Sequence, residues 1–418
     1  MDLYSLLIHI RRHALTLLPG LMSLTTSSAY AEDWPAWRGP RGDGISLEID
    51  VPQTWSSDQN IAWRTELPGV GRSSPIVSGQ HVFATTGVTE DLTRRVLCLD
   101  RTSGKLLWNT VVHTGPGGKM HQDNTMASST PVTDGTRVFT VFVDDQGMTV
   151  AALDLQGTIL WKSNPGTFYS NHGFAASPIL AGPGIIINGQ QDGTAFVCML
   201  DKLTGTELWR YTPSVSQRSF STPVLIHHQG HHQLILTGSQ QTVGLNPDNG
   251  TVIWYADGPS EKFVCTPSVG HGLVFSFAGS PSKKAHAVRL GGHGDVSETH
   301  VAWRNERSMP YVPSPLLVGD YLHIVNDLGV YSCLEPVTGK VLHTARALGS
   351  TYSSPIAAAG RIYMFEDTGR CTVFENRPGF HVIARNDLHE EVYTTPAVSN
   401  GQIFVRTVQA LYCIGIPQ

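Results

Sequence analysis

A Ser/Thr-Pro pair leading into an apolar segment recurs eight times, with its prolines at Pro75, Pro131, Pro178, Pro223, Pro267, Pro315, Pro355 and Pro396, 40 to 56 residues apart. A unit of that length is the size of one four-stranded propeller blade. The order inside each unit repeats as well. A strand opens on the proline, where a missing N–H removes no interior ladder bond. A Gly turn then leads to a second apolar strand, as in Gly135-Thr136-Arg137-Val138-Phe139 and Gly360-Arg361-Ile362-Tyr363. A third strand ends in an acid or amide and a Gly turn, and the fourth runs to an aromatic.

Leu99-Asp100-Arg101-Thr102-Ser103-Gly104-Lys105-Leu106-Leu107-Trp108 shows the second half of the unit most fully, and residues 200–209 repeat it closely. An Asp or Asn side chain bonds backbone two residues on, and Gly supplies the positive φ that closes the hairpin. The closing tryptophan recurs at Trp108, Trp161, Trp209, Trp254 and Trp303. One such residue per blade, burying ~200 Å², is worth roughly 5 kcal/mol before entropic costs. His343 and Ala384 occupy this place in the sixth and seventh units, where weaker or differently packed interfaces are expected.

After Pro396 only 22 residues remain, enough for three strands. Asn60-Ile61-Ala62-Trp63-Arg64, with the same closing tryptophan, is expected to supply the fourth. The predicted fold is therefore all-β: an eight-bladed β-propeller of four-stranded antiparallel blades, the last blade closed by an N-terminal strand and no sheet edge left open. The domain reading is a signal peptide over 1–31, an irregular cap packed by its tryptophans over 32–59, and the propeller over 60–418.

The first 31 residues differ from the rest. Arg11, Arg12 and His13 precede an apolar stretch from Ala14 to Leu24, and Ala29-Tyr30-Ala31 fits a secretory cleavage pattern. The expected location is periplasmic or secreted, with the mature chain starting at Glu32. No Cys precedes Cys98, which argues against a lipid anchor, and no stretch of 18 apolar residues follows the N-terminus. Cys98, Cys198, Cys333 and Cys413 fall at nearly one phase of the repeat, in different blades, so free core thiols are expected in preference to disulfides. A net charge of −5 argues against nucleic acid as a partner.

Asp201-Lys202-Leu203-Thr204-Gly205 through Trp209 resembles the tryptophan-docking repeat of the quinoprotein propellers, which bind pyrroloquinoline quinone (PQQ). The mature chain is similar to the PQQ-binding-like repeat proteins of planctomycete-type bacteria. Those open on a segment like Trp34-Pro35-Ala36-Trp37-Arg38-Gly39-Pro40-Arg41-Gly42-Asp43-Gly44. The group shares its fold with the assembly lipoprotein BamB. The resemblance implies an eight-bladed ring and leaves function open, because the same ring hosts dehydrogenases and scaffolds.

A ligand in such a ring would sit where the loops before the Ser/Thr-Pro strands converge. Those loops carry Arg72, Phe174, Phe220, Phe263, Tyr311, Tyr352 and Tyr393, with His121, Asp123, Asn124, Asn171, His172, Arg218, Lys262 and Glu391 slightly upstream. The channel-mouth candidates for binding are Arg72, Asn124, His172, Arg218, Phe220, Tyr311, Tyr352 and Tyr393. They suit a planar ligand or a partner's loop. One packing aromatic per repeat would produce the same pattern, and that reading is preferred.

Alcohol-oxidising PQQ enzymes hold a calcium ion through carboxylate and amide oxygens and use an Asp base, often beside a vicinal disulfide. Here no Cys-Cys pair occurs, and the acids near the predicted mouth are Asp123, Glu261, Glu390 and Glu391. His227-His228-Gln229-Gly230-His231-His232 has metal-ligand chemistry but reads as an exposed hairpin turn. His389-Glu390-Glu391 lacks a zincin's second His, and Gly115-Pro116-Gly117-Gly118-Lys119 misses phosphate-loop spacing. No catalytic residue and no metal site is assigned. The first expectation is a non-catalytic exported propeller that binds protein partners or scaffolds an envelope complex. The alternatives are a PQQ- and calcium-dependent oxidoreductase, and a propeller that binds carbohydrate or another small ligand.

Overall fold

The computed structural model describes residues 32–57, 59–346 and 348–416; the expected signal segment lies outside the described residues. The regular elements there are all strands, arranged as eight antiparallel blades in a ring. Blade 1 runs from its inner to its outer strand through Ile76–Ser78, His81–Val88, Thr93–Asp100 and Leu106–Thr114. Blades 2 to 7 repeat that order. In blade 8 the strands Ala397–Ser399, Gln402–Arg406 and Ala410–Ile414 are followed spatially by Ile61–Glu66, with Trp63 opposite Cys413. Blade 4 gains a fifth strand, because Gly294–Asp295 pairs in parallel with Trp254 and Tyr255 on its outer strand Val252–Asp257.

Five outer-strand tryptophans fasten their blade to the next. The Trp63 indole donates to Arg101 O at 2.8 Å, Trp108 to Leu155 O at 2.9 Å and Trp161 to Lys202 O at 3.2 Å. Trp209 likewise donates to Pro247 O at 2.9 Å and Trp303 to Pro336 O at 2.8 Å. Each acceptor lies in the turn between the third and fourth strands of the following blade. The glycine of that turn lies under the indole, so a Cβ at Gly104, Gly157, Gly205, Gly250 or Gly339 would come within 2.5–2.7 Å of the ring. In the third blade Asp201 Oδ1 shapes the turn by accepting the N–H groups of Leu203 and Thr204, both at 2.8 Å. The Asp-x-x-Thr-Gly sequence is thus the socket and the tryptophan the plug.

Trp254 departs from this scheme. It holds the closing register opposite Gly244, yet its indole donates to Gln233 Oε1 at 3.0 Å within its own blade and is fully buried. The cause lies in blade 5, where residues 290–300 replace the short turn, pair with blade 4 and offer no glycine socket. Blades 6 and 7 carry His343 and Ala384 at the closing position and are packed differently. Buried His323 accepts from Tyr331 OH at 2.8 Å and meets Asn376 Oδ1 of blade 7 at 2.7 Å, beside Phe374 and Phe380. On blade 7 the cap's Trp55 stacks on Phe365, with ring centroids 6.0 Å apart, and its backbone N–H donates to Asn386 Oδ1 at 2.9 Å. All six cysteines are buried and free.

Residues 33–48 cross the end of the ring where the inner strands finish. Trp34 exchanges backbone bonds with Val77 of blade 1, both at 2.9 Å, and Pro35 O accepts from Thr133 of blade 2 at 2.9 Å. Arg38, 2% exposed, donates to Pro315 O of blade 6 at 2.7 Å, and Ser46 N–H donates to Ala357 O of blade 7 at 2.8 Å. The Glu48 carboxylate accepts the N–H groups of Asn400 and Gly401 in blade 8. The segment therefore lies across one end of the ring as a floor, and Trp37 sits in its middle.

Candidate functional site

The repeated Ser/Thr-Pro hydroxyls form a belt around the axis. Ser74 N–H donates to Thr130 Oγ1, Thr130 N–H to Ser177 Oγ and Ser177 N–H to Thr222 Oγ1, at 2.9–3.1 Å. Thr266 N–H donates to Ser314, Ser314 to Ser354, Ser354 to Thr395, and Thr395 back to Ser74, at 2.9–3.0 Å. The step from Thr222 to Thr266 is the missing one among the described residues. There the blades join instead through Phe220 N–H to Phe263 O at 2.9 Å, and Thr266 Oγ1 accepts the Trp37 indole N–H at 2.9 Å. Proline serves the strand start, while the hydroxyl before it satisfies the neighbouring blade's buried donor.

Above the belt lies a cavity of about 470 Å³, floored by Trp37 and open at the other end of the ring. That volume falls within the range of small-molecule sites, about 300–1,000 Å³. Its wall includes Arg72, Asn124, His172, Phe220, Tyr311, Tyr352 and Tyr393. Arg218 is not among the lining residues; its guanidinium turns to Asp192 in an ion pair. Phe174 and Phe263 are buried packing aromatics, Phe174 edge-on to Phe168 at 5.2 Å, so the packing reading holds for those two positions. Glu390 lies off the mouth, bridging Arg64 and Tyr412.

The wall is tightly cross-braced. The Arg72 guanidinium lies 4.0 Å over the Tyr393 ring and donates to Asp123 O. Tyr352 OH donates to Asp123 Oδ2 at 3.2 Å, and burial together with that carboxylate pushes its phenol up to about 12. The His121 and His172 rings stack with centroids 5.6 Å apart, and the Asn124 amide donates to His172 O at 2.7 Å. Burial, then nearby Arg218, lowers the His172 pKa, so its imidazole is neutral at neutral pH. Tyr311 is pinned by its neighbour: a Cβ on Gly279 would fall inside the ring, so one face of the phenol lies on backbone.

Reading only the loops before each proline missed Lys283 and Asp327, which line the cavity and pair with each other. They follow the second strands of blades 5 and 6, Leu273–Ala278 and Tyr321–Val325. A signal was present: Asp192, Asp327 and Asp367 recur in second-strand turns. Asp327 Oδ1 accepts Val312 N–H at 2.9 Å, and Asp367 Oδ1 accepts Tyr352 N–H at 2.8 Å. Each holds in place a loop that carries a wall aromatic. The histidine run forms a hairpin with Val224–His228 and His231–Gly238 as arms, His227 opposite His232 and Gln229-Gly230 at its tip.

The model of the family described as "Outer membrane protein assembly factor BamB", a PQQ-type repeat family, matches residues 54–161 and 93–280, together more than half of the 418 residues. The chain belongs to this family. Its fold is that of an envelope-associated, BamB-like propeller, and no helix among the described residues is long and apolar enough to cross a membrane. BamB from Moraxella catarrhalis is similar in structure, with TM-score 0.61 and 13% identity over 84% of this chain and 96% of that one. The quinohemoprotein alcohol dehydrogenase ADHIIG from Pseudomonas putida HK5 gives TM-score 0.58 and 13% identity over 92% and 80%. The computationally designed Ika8 protein gives 0.58 and 12% over 85% and 100%. A BamB, a dehydrogenase and a designed protein stand at nearly equal distance, so these likenesses define the fold of the BamB-type ring alone. No curated protein matches the chain.

Proposed function

We propose that this chain is a non-catalytic, exported binding propeller of the envelope, which engages its partner at the open mouth of the ring. The observation that carries the reading is the asymmetry of the axis. The chain's own residues 33–48 floor one end, leaving a blind cavity with an aromatic and charged wall at the other. The state of the wall charges supports binding over acid–base work. Arg72 is held by Asp123 and Tyr393, Lys283 by Asp327, and Asp123 by Tyr352. Catalytic acids and bases need a group poised to exchange a proton, whereas braced side chains present a fixed surface. BamB-type membership and the signal-like N-terminus support placement in the envelope.

The dehydrogenase relatives raise PQQ with calcium as the alternative occupant. Calcium takes six to eight oxygen ligands. The carboxylates of this wall are Asp123 and Asp327, both already bridged, and no group of three or more His, Cys, Asp or Glu among the described residues is placed to hold a metal. The engagement of both carboxylates favours the binding reading over this one.

Affinity capture from envelope extracts tests the proposal, using the tagged mature chain beside a Tyr311→Ala/Tyr352→Ala variant. A partner recovered by the wild type and lost by the variant is expected. Recovery that is equal for both would overturn the mouth as the binding surface.

A further inference from the structure

We infer that the mouth cavity takes a neutral saccharide, the terminal one or two units of a glycan; this rests on the mouth being the binding surface. Three observations carry it. The first is charge. The wall holds two cations, Arg72 and Lys283, and two carboxylates, Asp123 and Asp327, equal in number; Lys283 pairs with Asp327, while Arg72 bonds the Asp123 carbonyl. A polyanion finds no net attraction there, while a neutral polyol finds acceptors and donors of the charge-assisted kind within one cavity. The second is the aromatic lining. Tyr311 rests one face on Gly279 and still lines the cavity, and Trp37 is oriented by its bond to Thr266. Fixed rings with an apolar face and a polar tip match a sugar, whose C–H face is apolar and whose edge carries hydroxyls.

The third is the sealed floor. A channel open at both ends would admit the middle of a polymer, but one closed by residues 33–48 admits only an end. The saccharide enters terminal unit first, and the remaining chain leaves through the mouth. No bond is made or broken; the ring holds its ligand by stacking and hydrogen bonding.

Calorimetric titration of the mature chain with methyl glucoside, maltose, cellobiose, N-acetylglucosamine and chitobiose tests this, with PQQ in a parallel arm. At least one of these saccharides is expected to bind saturably. Affinity should fall tenfold or more in Tyr311→Ala and change by less than twofold in Leu203→Ser, which alters an exposed turn. Indole fluorescence should also change on binding, and that change should vanish in Trp37→Phe while calorimetric binding persists. Tyr311→Ala is checked for native β circular dichroism; if it fails to fold, Gly279→Ala displaces the same ring. No saccharide binding to the wild type at millimolar concentration, or saturable PQQ binding in its place, overturns the inference. Mouth-dependent capture surviving that failure leaves the binding proposal standing, and loss of both removes both.

Discussion

The Trp37 indole donates to Thr266 Oγ1 at 2.9 Å, at the one step where the belt of Ser/Thr hydroxyls does not link neighbouring blades. The floor of the cavity is thus keyed to an irregularity in the repeat. Trp37→Ala should remove both the hydrogen bond and the buried part of the indole, costing roughly 2–3 kcal/mol. Trp37→Phe should cost about 1 kcal/mol by losing the donor alone. Urea midpoints of the two variants check the order; equal destabilisation would show that the bond contributes nothing.

The belt itself makes a sharper forecast. Thr130 is 2% exposed and its hydroxyl accepts the Ser74 N–H at 2.9 Å. Thr130→Val preserves shape but strands that donor, at about 1–3 kcal/mol. Thr130→Ser keeps the acceptor and should lie within about 0.5–1 kcal/mol of the wild type. Thermal unfolding of both variants separates a hydrogen-bonding role from a packing one.

Two glycines isolate the tryptophan socket. Gly205 has φ +74° and a Cβ there would lie 2.5 Å from the Trp161 ring, whereas Gly230 has φ +83° and open space around it. Gly230→Ala should cost only the left-handed backbone penalty, about 1 kcal/mol. Gly205→Ala adds steric displacement of Trp161 and should cost roughly 3 kcal/mol. Similar costs in chemical denaturation would mean that the socket yields freely.

Much of this was legible in advance. The repeat announced the blades, and the phase of Trp63 announced the strand that completes the eighth sheet, because both follow from local periodicity. The role of the Ser/Thr hydroxyls was not legible, since each bonds a residue one whole blade away. Trp37 sits in a recognisable motif, yet nothing local says that the segment crosses the axis. Trp254 obeys the period and still turns inward, because its socket belongs to blade 5 and blade 5 lacks it. Lys283 and Asp327 escaped notice for a simpler reason: second-strand turns also reach the mouth.

Buried histidine gives the pH dependence. Burial pushes His323 down to about 4, although its bond to Asn376 acts the other way. The folded imidazole therefore stays neutral while the unfolded one, near 6.5, takes a proton. Unfolded chains bind more protons between these values, so stability is full above about pH 6.5 and falls as pH drops towards about 4. His286, lowered to about 3 by burial, acts in the same direction. The urea midpoint should fall between pH 7.5 and 5, and His323→Gln should flatten part of that slope. A slope unchanged by the substitution would place the titration elsewhere.

Hydrogen exchange on the captured complex locates the binding surface, with the mature chain measured alone and with its partner bound. Protection is predicted in the loops around Asp123, His172, Tyr311 and Tyr352, with the outer strands and residues 33–48 unchanged. Protection confined to the outer strands, with the mouth loops exchanging as in the free chain, would place the binding surface on the flanks of the blades and away from the mouth.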